Sequence, residues 1–148
     1  MSKISIKNLT KTYKGNVEAV KDINIGIEDK DFFVLLGPSG CGKSTTLRLL
    51  GGLEDVTSGK IYLDGDNITY IDPKDRDLAF VFQNYALYPH MSVKKNLSFS
   101  LKLKKTNQEI IENKIKEVSN LLQIRDLLDR RPAELSGGQR QRVALGRA

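Results

Sequence analysis

One cysteine, Cys41, stands in the 148 residues, so no disulfide can form within the chain, and a reducing cytoplasm is the expected setting. No apolar run approaches the roughly 18 residues that a helix needs to cross a bilayer, so any role at a membrane has to work through a partner. The opening residues, MSKISIKNLTK, lack the apolar core of a signal peptide, which fits the same setting. Internal repeats and low-complexity segments are missing too, which excludes solenoids, fibres and disordered linkers.

What is present is an ordinary globular composition in a chain long enough for one domain with a core. A formal net charge of +6 and a pI near 9.4 allow attraction to nucleic acid, anionic membranes or phosphate ligands without choosing among them. The one lysine cluster, KLKK at 102–105, reads as a solvated helix end, and nucleic acid is not an expected partner.

The hydropathy pattern predicts a β-rich portion to about residue 84 and a helical portion beyond it. ISIKNL and INIGIE alternate apolar and polar residues, as strands of an antiparallel layer with one wet face do. FFVLL at 32–36 is a continuous apolar run and predicts a strand buried on both faces; LAFVFQ at 78–83 predicts a second, ending on Gln83. A helix is expected from Lys43 to about Leu53, closed by Gly51 and Gly52. SGKIYLDGDNIT reads as a hairpin with Ile61 and Leu63 on one face and DGD as the turn. From Ser92 the period becomes helical. TNQE at 106–109 has capping-box spacing, and Ile111, Ile115, Val118 and Leu122 follow as one apolar stripe.

The segment GPSGCGKST at 37–45 fits G-x-x-x-x-G-K-[ST], with Gly37, Gly42, Lys43 and Ser44 at the fixed places, and lies between a predicted strand and a predicted helix. Glycines let the backbone curl so that successive amides face phosphate oxygens, and the helix adds the positive end of its dipole. Lys43 supplies a cation to terminal phosphates. Ser44 offers Mg²⁺ a hydroxyl, the kind of oxygen ligand that ion prefers. Cys41 reads as a small residue whose backbone N–H does the binding. The loop specifies a nucleoside triphosphate site and leaves open what the energy does.

LSGGQ at 135–139, about ninety residues after such a loop, resembles the signature of the ATP-binding cassette (ABC) ATPases. Tyr13 in KTYKG and Gln83 in FVFQN resemble the family's adenine-stacking aromatic and its Q-loop glutamine. Within the family, GPSGCGKSTTLRLLGGLE, RDLAFVFQNYALYPHMSVKKNL and LSGGQRQRVALGRA look most like importers of carbohydrates or glycerol phosphate. The resemblance implies an α/β fold, with a P-loop NTPase core (1–84), an N-terminal antiparallel β layer and a helical subdomain carrying the signature (85–148). It implies ATP and Mg²⁺ as ligands. Tyr13 would stack on adenine; Gly37, Ser39, Gly40, Cys41, Gly42, Lys43, Ser44 and Thr45 would hold phosphates and metal; Gln83 would sense metal and attacking water, Lys43 and Gln83 being the catalytic pair. Ser136, Gly138 and Gln139, helped by the small Gly137, would reach the γ-phosphate bound by a second, head-to-tail copy.

Residues 84–93 would meet a permease subunit at the cytoplasmic face of the membrane, with Tyr85, Leu87, Tyr88 and Met91 as contacts; the other reading folds these side chains into the helical core. The family completes its site after the signature, with an apolar run ending in Asp-Glu and then a switch histidine. Asp64 ends a similar run in IYLD but precedes Gln83, and His90, the only histidine, precedes the signature. The chain is therefore expected to be an N-terminal fragment that binds ATP without hydrolysing it. Two further classes stay open: a soluble ABC protein of DNA repair or translation, and a non-catalytic nucleotide-binding remnant.

Overall fold

The computed structural model describes residues 3–148, which form two compact units, one ending at Ala79 and one starting at Phe80.

The first unit is built on a four-stranded antiparallel sheet: β1 (Ile4–Tyr13), β2 (Val17–Ile27), β3 (Ser58–Leu63) and the short β4 (Asp66–Asn67), in the order β2-β1-β3-β4. The alternation in ISIKNL and INIGIE becomes a ladder in which Ile4 faces Ile27 and Ile6 faces Ile25. The alternation is not unbroken. A register shift follows Ile6, with Asn8 at φ 49°, so Leu9 returns to the buried face that Ile6 occupies. Asn8 is pinned there by Asn24 and Asp22, and Gly59 runs so close that an added Cβ would lie 2.4 Å from the Asn8 carbonyl oxygen. The expected hairpin joins β3 to β4. Its two-residue turn, Asp64 (φ 53°) and Gly65 (φ 93°), has the paired positive φ that matches strand twist, and Asp66 already belongs to β4.

Helix α1 (Lys43–Leu50) lays Leu49 onto the core made by Ile6, Leu9, Val20, Ile61 and Ile68. It stops three residues before the predicted end. Gly52, at φ 68°, donates to Leu49 O, and Leu53 N donates to Arg48 O, which closes the helix with a Schellman motif. Arg76 covers the same end. Its guanidinium is buried and donates to the carbonyls of Leu49, Leu50, Thr69 and Ile71.

FFVLL and LAFVFQ form no strands, contrary to expectation. Phe32 and Leu36 are 93% and 88% exposed, and Val81 is 39% exposed. Apolar content favours burial, but a strand also needs neighbours on its ladder, and neither run pairs with any described strand.

In the second unit, α2 (Val93–Leu103), α3 (Gln108–Leu121) and α4 (Gly137–Arg147) enclose a core of Val93, Leu97, Ile111, Ile115, Ile124, Leu127 and Val143. Val118 and Leu122 pack against it, as the apolar stripe requires. Ser92 and Ser136 cap α2 and α4. The predicted capping box at Thr106 is replaced. Asn107 caps α3 by accepting from Glu109 N at 2.8 Å, because the Thr106 N–H is used on Leu101 O at the end of α2. Gly146 lets α4 sit close to its neighbours: a Cβ there would lie 2.8–3.0 Å from Val118, Leu122 and Leu97.

Candidate functional site

In the first unit, Gly37, Ser39, Gly40, Cys41, Gly42, Lys43, Ser44 and Thr45 form one loop running into α1. Gly42 is the helix N-cap at φ 92°, a conformation costly for any residue with a Cβ. Space is the second constraint, since a Cβ on Gly42 would lie 2.3 Å from Ala19 O of β2. The Gly42 carbonyl accepts from both Thr46 N (2.8 Å) and Thr46 Oγ1 (3.0 Å), which locks the first turn. Gly40 is also left-handed (φ 81°) with open space around it.

Lys43 folds over this loop. Its Nζ donates to Gly37 O at 2.7 Å and to Pro38 O at 2.6 Å, and lies 3.4 Å from Cys41 Sγ. The cation is thus held against the loop's own carbonyls. Ser44 lies exposed in the first turn and, with Lys43, lines a cavity of about 410 Å³ whose apolar wall includes Phe33, Val34 and Leu47. Among the described residues no group of three or more His, Cys, Asp or Glu could hold a metal. One serine hydroxyl fits a magnesium ion that keeps its waters and takes its other oxygens from phosphates.

Tyr13 ends β1 opposite Val17, and Lys11 faces Val20, whose side chain and the adjacent Ala19 O abut Gly42. The ladder therefore sets Tyr13 a few residues along from the phosphate loop. Tyr13 is 38% exposed, with Lys11 Nζ 5.0 Å from its ring centroid. Lys11 is buried and bonds Glu54 Oε1 at 2.9 Å and Asp55 O at 2.7 Å. The Lys11 ammonium bonded to Glu54 holds its carboxyl below the usual range, against the opposing effect of burial. Neither Lys11 nor Glu54 was marked by the sequence reading. The available signal was a lysine at an inward register of a strand.

The second unit carries the other expected residues. Gln83 is exposed on an irregular segment. Ser136 Oγ accepts from Gln139 N at 3.3 Å, and Gln139 Oε1 accepts from Ser136 N at 2.8 Å. Gly138 and Gly137 have nothing within 4 Å of a would-be Cβ, so the start of α4 is open to close approach. Of the 84–93 residues, Tyr85, Leu87, Tyr88 and Met91 are all half-buried; Leu87 packs against the helical core, and the Tyr88 ring lies 4.6 Å from that of Phe99, tilted by 49°. Asn96 fixes this segment. Wholly buried, it accepts from Tyr88 N and donates to the carbonyls of Tyr88, Met91 and Ser92. His90 is exposed, 6.2 Å from the Tyr88 ring, and Asp64 sits in the hairpin turn, accepting from Lys3 N.

Comparison with known proteins follows the same lines. A family model described as ABC transporter matches residues 20–148. The sn-glycerol-3-phosphate import ATP-binding protein UgpC of Bordetella avium is 52% identical over 148 residues, all of this chain and 41% of that relative. UgpC of Brucella abortus is 53% identical over the same span, 42% of its length. The chain thus spans about two fifths of the curated relatives it matches. Among solved structures, a dimeric post-hydrolysis state of the ATP-binding cassette MJ0796 bound to ADP and Pi superposes with a TM-score of 0.87 at 32% identity, covering 97% of this chain and 68% of that one.

Proposed function

Because the chain belongs to the ABC transporter family, we propose that it is the ATP-binding part of a subunit that drives solute import, of a sugar or glycerol phosphate, through a membrane permease. The relatives' role in sn-glycerol-3-phosphate import supports that solute class, and the P-loop NTPase fold supports the chemistry. The observation that carries the reading is the loop at Gly42–Lys43, where a left-handed glycine, a helix start and a cation converge.

In this reading Lys43 exchanges the Gly37 and Pro38 carbonyls for terminal phosphate oxygens of ATP, while the loop amides and the α1 dipole hold the rest of the chain of phosphates. Tyr13 stacks on adenine. Ser44 and Gln83 would be magnesium ligands; when bound, that ion neutralises charge that develops on the transferred phosphoryl group. Gln83 would orient water. Residues 1–84 form the nucleotide-binding portion and 85–148 the helical portion with the signature. The head-to-tail partner is a second copy, to whose γ-phosphate the open α4 start presents Ser136, Gly138 and Gln139; the dimeric state of the similar cassette supports this. Residues 84–93 would dock a permease, placing the protein peripherally on the cytoplasmic face of the membrane. Among the described residues no helix is long and apolar enough to cross one.

Titration calorimetry with Mg·ATP on the full-length protein and its Lys43→Ala variant tests the reading. Binding is expected to vanish in the variant, and equal affinities would remove this loop from the site.

A further inference from the structure

We propose that Lys11 and Glu54 are positioning residues for nucleotide binding, Glu54 fixing the Lys11 ammonium and Lys11 holding the Tyr13 ring by one face so that the opposite face is presented to a purine base. The proposal rests on the reading of Tyr13 as the base-stacking side chain.

A tyrosine at the last position of a strand, beside the exposed turn at 14–16, has two side-chain torsions to lose when a base stacks on it. A contact on one face of the ring restricts that freedom beforehand. Lys11, two residues back on the same strand and so on the same side, puts its ammonium 5.0 Å from the ring centroid. Glu54, at 2.9 Å, holds the Lys11 ammonium in that place. Tyr13 as a residue remains 38% exposed, so it is still open to a ligand.

A buried ammonium is costly unless paired, and burying it here has no evident packing purpose that an apolar residue would not serve. Tying residues 54–57 to β1 does not require it either. Thr57 N already donates to Thr10 O at 3.1 Å, and Thr12 N to Thr57 Oγ1 at 3.0 Å. What the ion pair adds is a fixed ring. Lys11 is 8% exposed with its three donors directed at Glu54, Asp55 and the ring, so it acts on the nucleotide through Tyr13 and not by touching phosphate. Preorganising a contact side chain improves affinity by removing the ordering cost from the binding step.

The test compares ATP with inorganic tripolyphosphate, which has the charge but no base, by calorimetry on the full-length protein. Lys11→Met is expected to weaken ATP on the order of threefold to tenfold, the range of a lost aromatic contact, and to leave tripolyphosphate unchanged. Lys11→Arg, which can still pair with Glu54 and lie on the ring, should restore ATP binding. The double variant with Tyr13→Ala should be no weaker than Tyr13→Ala alone. If Lys11→Met does not fold, Glu54→Gln, which keeps the shape and loses the charge, replaces it with the same expected split. Unchanged ATP affinity in Lys11→Met or its replacement, or equal weakening of both probes, overturns the positioning role. Undiminished ATP affinity in Tyr13→Ala would instead overturn the base-stacking reading beneath it.

Discussion

Replacing Arg76 by methionine isolates a single staple in the first unit. Arg76 is 3% exposed, and its guanidinium makes four donor contacts of 2.8–2.9 Å, to Ile71 O, Leu49 O, Leu50 O and Thr69 O. Burial pushes its pKa down from the ordinary value, yet a guanidinium stays protonated at any pH where the protein is handled. Methionine fills much of the volume and donates nothing. Leu49 O keeps the Gly52 N–H, so it is not stranded. Thr69 O loses a buried partner, at about 1–3 kcal/mol, while the half-buried bonds to Leu50 and Ile71 cost about 0.5–1.5 kcal/mol each because water can reach them. Relief from burying a charge offsets part of this, leaving a loss of about 3 kcal/mol, a large share of an ordinary domain's stability. With no tryptophan in the chain, urea unfolding followed by far-UV circular dichroism is the direct assay. Arg76→Lys, one point charge for four carbonyls, should fall between wild type and methionine. Gly52→Ala puts a Cβ 2.5 Å from Arg76 Nε and should be costly in wild type but less so beside Arg76→Met. A methionine variant within about 1 kcal/mol of wild type at unchanged m-value would refute the staple.

Two further outcomes follow from polar groups inside the units. Asn96→Leu removes four bonds to residues 88–92 from a wholly buried site, so the amide of Tyr88 should exchange with solvent at least about tenfold faster, read by hydrogen exchange, while the α3 amides change little. The Glu54 carboxyl is held below its ordinary value by Lys11, so its contribution is fully present above about pH 4.3 and is lost as pH falls through the lower folded value; a carbon-13 titration should show that lower midpoint, and Lys11→Met should raise it.

Local chemistry was the most legible part of the sequence. Asp64-Gly65 specified its hairpin, Ser136 its cap, and Gly51-Gly52 the end of α1, because each acts within a few residues. FFVLL and LAFVFQ were misread because an apolar run reports a preference for burial, whereas strand formation depends on a partner that periodicity cannot reveal. Thr106 was misplaced because two helices compete for the same short connection. Lys11, Arg76 and Asn96 went unnoticed for a different reason. Each is a lone polar residue whose partners are backbone or side-chain groups far along the chain or across a turn, and its only mark is a polar letter where the pattern asks for an apolar one, as Asn96 shows between Val93 and Leu97.

Gly146 makes α4 a lever. Three residues, about 4.5 Å, separate it from the buried Val143, and six residues, about 9 Å, separate Val143 from Gly137 at the other end. With Val143 as fulcrum, a side chain at 146 that pushed this end of the helix half an ångström away from Val118, Leu122 and Leu97, roughly what a 2.8 Å contact demands, would swing Ser136 by about twice that. The aim of the exposed end of the rod is thus governed by an absence of atoms at the packed one, so a residue with no side chain of its own has a long mechanical reach.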